Sequence, residues 1–183
     1  MKLKCQAGFT LIEVIVIAAI LAILAGVLVP MVFSQIDQAK VSRAEADCKS
    51  ISSAILAFRK DVGTWPDLRD ITSCTSSATL LRGQGNEPQG LAAEGFNTTS
   101  TLYLKDVLME DNEECYNVAL FKGPYLPVVN ADPWGNAYVL AAVNFNATGT
   151  SPVFALSAGP NGIIETSVYS VSTLGDDIGN RIK

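Results

Sequence analysis

From Val14 to Phe33 the chain carries no charged residue, and this run of twenty limits what the rest can become. As a helix it would be about 30 Å long, the thickness of a bilayer's hydrocarbon core. One carboxylate, Glu13, stands just inside its leading end, after a short leader with Lys2 and Lys4. A secretory signal has an apolar core of about 7–15 residues and a small-residue cleavage site behind it, so the run is too long for that reading. A plain membrane anchor accounts for the run but not for Glu13. A carboxylate at the centre of a membrane helix costs about 2.5–3.5 kcal/mol, so one that persists has a partner or a purpose.

The 183 residues suit one globular body plus this anchor. The chain has no histidine, which excludes histidine-based triads and the usual zinc sites. Its net charge of -5 disfavours nucleic acid as a partner, because phosphate binding needs a basic patch. Lysines before the span and net acid after it favour a cytoplasmic leader and a body on the far side.

Gly8-Phe9-Thr10-Leu11-Ile12-Glu13, followed by Pro30, resembles the start of a type IV prepilin or a type II secretion pseudopilin. The resemblance implies cleavage between Gly8 and Phe9 by a prepilin peptidase, and methylation of the new terminus. Glu13 and Pro30 then fall at the family's glutamate and proline positions. Cleavage removes Lys2 and Lys4, leaving 11 of the 13 basic side chains against 18 acidic ones, a net charge of -7. It also frees the α-amino group of Phe9, with a pKa of about 7.7–8.0, which gives Glu13 a cation to pair with. In the family this pair forms between neighbouring subunits and sets the axial register. Phe9 and Glu13 are also four residues apart on one helix, so pairing within one subunit is a rival.

The helix is predicted to continue beyond the membrane. Val41, Ala44, Cys48, Ile51, Ile55, Phe58 and Val62 make one apolar stripe at helical spacing. Arg43–Asp47 and Glu45–Lys49 are opposite-charge pairs off that stripe. Gly63 is a natural cap, and Trp65-Pro66 opposes continuation. Pro30 withholds a bond from the carbonyl of Gly26, so a kink is expected there. The organisation that follows is a leader at 1–8, an apolar helix at 9–33, an amphipathic continuation at 34–63, an irregular variable region with an insertion at 64–131, and a tail at 132–183. Cys5 leaves with the leader. Of the remaining Cys48, Cys74 and Cys115, the expected disulfide in an oxidising compartment is Cys74–Cys115, both in loop-like sequence. Three free thiols in a reducing envelope is the alternative.

In the tail, Tyr138 to Phe145 and Val153 to Leu156 are β-rich runs around a turn at residues 146–149. A small C-terminal antiparallel sheet packed on the helix stripe would bury both apolar faces. Asp132-Pro133-Trp134-Gly135-Asn136-Ala137-Tyr138 resembles the signature of the G-type major pseudopilin of type II secretion, with Ala137 in place of a proline. The fold class implied is α+β and type IV pilin-like. G-type pseudopilins bind calcium through two loops. Carried over by position, Asn161, Asp176 and Asp177 would give side chains, Ala158 and Ile163 carbonyls, and Ser172 or Thr173 a hydroxyl. Asn161 stands where the family has an aspartate, which removes one charge. From the residues alone, Asp176-Asp177 reads as a solvated turn; it is the resemblance that points to calcium.

The function implied is structural. The chain would be a subunit inserted once in the bacterial inner membrane, its body periplasmic, surrounded by lipid until an assembly platform packs it with copies of itself and with minor pseudopilins. A type IV pilus pilin is the nearest alternative; a membrane-tethered enzyme or calcium-dependent binding module is the alternative of another class. No nucleophile or pocket motif supports an enzyme.

Overall fold

The computed structural model describes residues 8–69, 76–110, 116, 119–146 and 151–183. The chain divides into two units, Met1–Ala39 and Lys40–Lys183. Helix α1, Leu11–Val62, contributes to both.

In the first unit α1 opens with a capping arrangement. Thr10 and Glu13 have the T-x-x-E spacing, and Thr10 N donates to Glu13 Oε2 at 3.5 Å. The helix runs on through Pro30, where one backbone bond is necessarily missing. Every residue from Gly8 to Ala39 is exposed, so the described residues of this unit form no core of their own.

From Lys40 onward the same helix gains a buried face. Ala44, Cys48, Ile51, Ile55 and Phe58 are buried, with Val41 and Val62 half-buried at the ends of the stripe. Arg43–Asp47 at 3.6 Å and Lys49–Glu45 at 3.8 Å lie on the wet side, where such pairs contribute little. Gly63 closes the helix at φ +88°, its N–H donating to the Arg59 carbonyl at 2.9 Å.

The stripe packs on a sheet of five strands, in the order β4-β3-β5-β6-β7. They are β3, Leu80–Arg82; β4, Thr101–Tyr103; β5, Val139–Ala141; β6, Phe154–Ser157; and β7, Ile178–Arg181. A separate pair joins β1, Leu68–Arg69, to β2, Ser76–Ser77. A short helix α2, Leu104–Leu108, follows β4. The α+β class agrees with the sequence reading, but the sheet is mixed rather than antiparallel. β3 and β4 run parallel, with Leu81 opposite Leu102. A parallel pair needs a long crossover, and residues 83–100 supply it. Two of the five strands of this sheet, and both strands of the separate pair, therefore come from the region read as irregular.

The sheet is apolar on both faces. Leu81, Leu102, Leu140 and Ala155 join Cys48, Ile51, Ile55 and Phe58 in the core beneath α1. Leu80, Val139 and Leu156 point the other way, against Leu91, Phe96, Ile164 and Val168. Burial on both faces explains why these strands read as continuous apolar runs rather than alternating ones. The second cover consists of two irregular segments stitched together. Gln89 N donates to Gly162 O at 3.0 Å, Ile164 N to Gln89 O at 2.8 Å, and Val168 N to Glu94 O at 3.1 Å.

Cys5, Cys74 and Cys115 lie outside the described residues, and so does the predicted disulfide. Cys48 is a free, buried thiol whose Sγ donates to the Ile178 carbonyl at 3.5 Å.

Candidate functional site

Gly8, Phe9, Glu13 and Pro30 all lie in the first unit and are exposed. The Glu13 carboxylate accepts from Thr10 N and Thr10 Oγ1, both at 3.5 Å. These contacts are long and give up little when exchanged for a charged amine. The amino end of a helix also favours a carboxylate. Glu13 as a capping partner escaped the sequence reading, although the T-x-x-E spacing signals it.

The tail site is built upward from the turn at Asp132. Asp132 is buried, and its Oδ1 accepts from Trp134 N at 3.0 Å and Asn136 N at 2.8 Å. Its Oδ2 accepts from Ser157 Oγ at 2.6 Å. Ser157 Oγ in turn accepts from Gly159 N at 3.2 Å. Gly159 sits at φ +61°, and a Cβ there would come within 2.3 Å of the Asp176 carbonyl oxygen. The loop after β6 and the loop before β7 thus meet backbone to backbone, at a position only glycine can occupy.

The predicted ligands gather at this junction. Asp176 Oδ2 accepts from Asn161 N at 3.1 Å, and Asn161 Oδ1 accepts from Ile163 N at 2.6 Å. Asp177 Oδ2 accepts from Glu165 N at 2.9 Å and Thr166 N at 2.7 Å. Asp176 Oδ1 and Asp177 Oδ1 are buried with no partner. Burial pushes the Asp177 carboxyl above the usual carboxylate range, against the Thr166 hydroxyl and the two backbone N–H groups that favour its charged form.

Two adjacent orphaned carboxylate oxygens fit a hard cation that takes oxygen ligands. Among the described residues no group of three or more acidic or thiol side chains is already gathered to hold a metal. The buried hydroxyl beside Asp177 belongs to Thr166, whereas Ser172 is exposed and Thr173 half-buried. The Thr166 hydroxyl oxygen accepts from Leu174 N at 2.9 Å.

The comparisons with known proteins address both ends of the chain. Residues 3–29 match the family model described as the prokaryotic N-terminal methylation motif. The type II secretion system core protein G of Pseudomonas aeruginosa is 34% identical, over 88% of this chain and 89% of its own length. The chain belongs to the type II secretion system core protein G family. The Escherichia coli (strain K12) core protein G is 29% identical over 96% of this chain. A fimbrial protein of Moraxella nonliquefaciens is 29% identical, but over 64% of this chain. No solved structure matches.

Proposed function

We propose that this chain is the repeating subunit of a type II secretion pseudopilus and has no catalytic role. The observation that carries the reading is the first unit. Its helix is long and apolar enough to cross a membrane, and the apolar window has no buried residue within the chain itself. Such a surface needs lipid or other helices of its kind around it. As a precursor it would sit once in the inner membrane, with Lys2 and Lys4 cytoplasmic and the body periplasmic. A prepilin peptidase would cut between Gly8 and Phe9, and methylation would follow. The freed amine of Phe9 would then meet Glu13 of a neighbouring copy, so that assembly replaces lipid by helix. Minor pseudopilins and the inner-membrane assembly platform are the further partners of this reading.

Calcium is the proposed cofactor of the body, held by Asp176, Asp177 and Asn161 with the carbonyls of Ala158 and Ile163. It would neutralise the two unpartnered carboxylate oxygens and fix the two loops that Gly159 brings together. Thr166 is a buried hydroxyl that already hydrogen-bonds Asp177.

The test of the filament reading is twofold. Mass spectrometry of the mature protein should begin at methylated Phe9. Glu13→Ala should insert into the membrane normally, yet filaments should be lost from it. Normal filaments from Glu13→Ala, or functional protein that retains Met1, would remove the reading.

A further inference from the structure

The acidic loop carries a third carboxylate that the family resemblance does not assign. Glu165 Oε2 accepts from Asp176 N at 3.3 Å. It lies so close over Gly175 that a Cβ there would come within 1.6 Å of it. The Glu165 backbone N–H meanwhile binds Asp177 Oδ2 at 2.9 Å. One residue thus touches both aspartates, through its side chain on one and its main chain on the other. No lysine or arginine among the described residues forms an ion pair with Glu165, Asp176 or Asp177. The second observation is Asp177 itself, which is 7% exposed and has an oxygen without a partner. A buried carboxylate oxygen without a partner, with the Asp176 carboxylate as its charged neighbour, calls for a cation.

We propose that Glu165 supplies to a calcium ion at Asp176 and Asp177 the negative charge that is missing at Asn161. This rests on the calcium reading above. Asn161 is a weak substitute for a carboxylate, because its Oδ1 is neutral and already accepts from Ile163 N at 2.6 Å. Glu165 is exposed, so its side chain is free to swing. The contact it would release is long, at 3.3 Å. Calcium tolerates irregular coordination, and its affinity rises with the number of charged ligands. A glutamate also reaches one methylene further than an aspartate, which suits a group approaching from the rim of the loop. The loss at position 161 and the gain at 165 leave the number of carboxylates around the ion unchanged.

The experiment is calcium titration of the full chain in detergent micelles, read by calorimetry and by the shift in melting temperature. Asp177→Ala should abolish binding. Glu165→Gln should fold and melt normally without calcium, but bind it about tenfold more weakly, the scale of a lost charged ligand. Adding Asn161→Asp to Glu165→Gln should restore the affinity. If Asp177→Ala loses binding while Glu165→Gln keeps it in full, the assignment of Glu165 is overturned and the calcium site stands. If the unaltered chain binds no calcium at millimolar concentration, both are overturned. Failure of Asn161→Asp to rescue Glu165→Gln would show that the two positions do not share one charge requirement, and would likewise overturn the assignment.

Discussion

Asp132→Ala should be among the most damaging single substitutions in the body. The buried carboxylate serves three donors: Trp134 N, Asn136 N and Ser157 Oγ. Truncation removes all three acceptor contacts at once. A buried donor left unmade costs about 1–3 kcal/mol, and charge-assisted bonds lie at the upper end. Trp134 and Asn136 are half-buried, so water can rescue their N–H groups in part. Ser157 is fully buried and cannot be rescued that way. Together these give a loss of about 3–5 kcal/mol, a large share of a typical domain's stability. Asp132→Asn keeps Oδ1 for the two N–H groups and can donate to Ser157 Oγ, so about 1–2 kcal/mol is expected. Ser157→Ala strands Oδ2 and should cost about 2 kcal/mol, also freeing Gly159 N. In the double variant the losses should overlap by about 1 kcal/mol or more, since the two groups share one bond. Urea unfolding of residues 40–183, followed by tryptophan fluorescence, measures all four species. Asp132→Ala within 1 kcal/mol of the unaltered body, or strict additivity in the cycle, would refute the argument.

Other predictions follow the same logic. Phe58 is fully buried, with ring centroids at 4.8 Å from Tyr116 and 5.5 Å from Tyr125; Phe58→Ala should cost about 3–5 kcal/mol in the same urea assay, and a loss under 1 kcal/mol would contradict it. Burial, with the charge of Asp47 adding to it, pushes the Cys48 thiol up to about 12; iodoacetamide at pH 8 should alkylate it far more slowly in the folded body than in urea, and equal rates would show the thiol to be open. Burial also raises Asp67, against its bonds to Ser77 and Asn146, so the folded state holds that proton more tightly than the unfolded one. Stability should therefore fall as pH rises from the ordinary carboxylate pKa through the raised folded value; the fall should be shallower in Asp67→Asn, and an unchanged pH profile would refute the assignment.

The long helix was legible because its signals are local. The uncharged run, the stripe from Val41 to Val62 and the cap at Gly63 each follow from spacing alone, and the structure places helix, buried face and cap accordingly. The parallel pairing of β3 and β4 was not legible, since three-residue strands leave almost no periodic signal. Nor was the second apolar layer. Leu91 and Phe96 stand alone in a polar stretch, and only the sheet explains why they are buried. At the tail, Asp176, Asp177 and Asn161 were singled out by resemblance to the family, and the backbone brings their loops together. Thr166 and Glu165 were not, because their bonds to the aspartates run through backbone N–H groups that no motif spacing displays. The capping role of Glu13 was readable but stood in the shadow of its charge.

The sheet order has a consequence for the time at which the body can exist. β3 lies between β4 and β5, so Leu81 must wait for Leu140. β5 in turn leans on β6, and β6 on β7, whose Ile178 and Asn180 carbonyls receive the Cys48 and Ser52 side chains of the helix. Contacts of such long sequence separation form late and slowly. With the leader held on the near side of the membrane, a body that crosses from its helix end onward would emerge with that helix ready and its apolar stripe bare. The stripe would stay uncovered until the last strand had crossed. During that interval the bare stripe is a natural target for a holding chaperone, and a stall near residue 170 would leave a translocated but unfinished subunit.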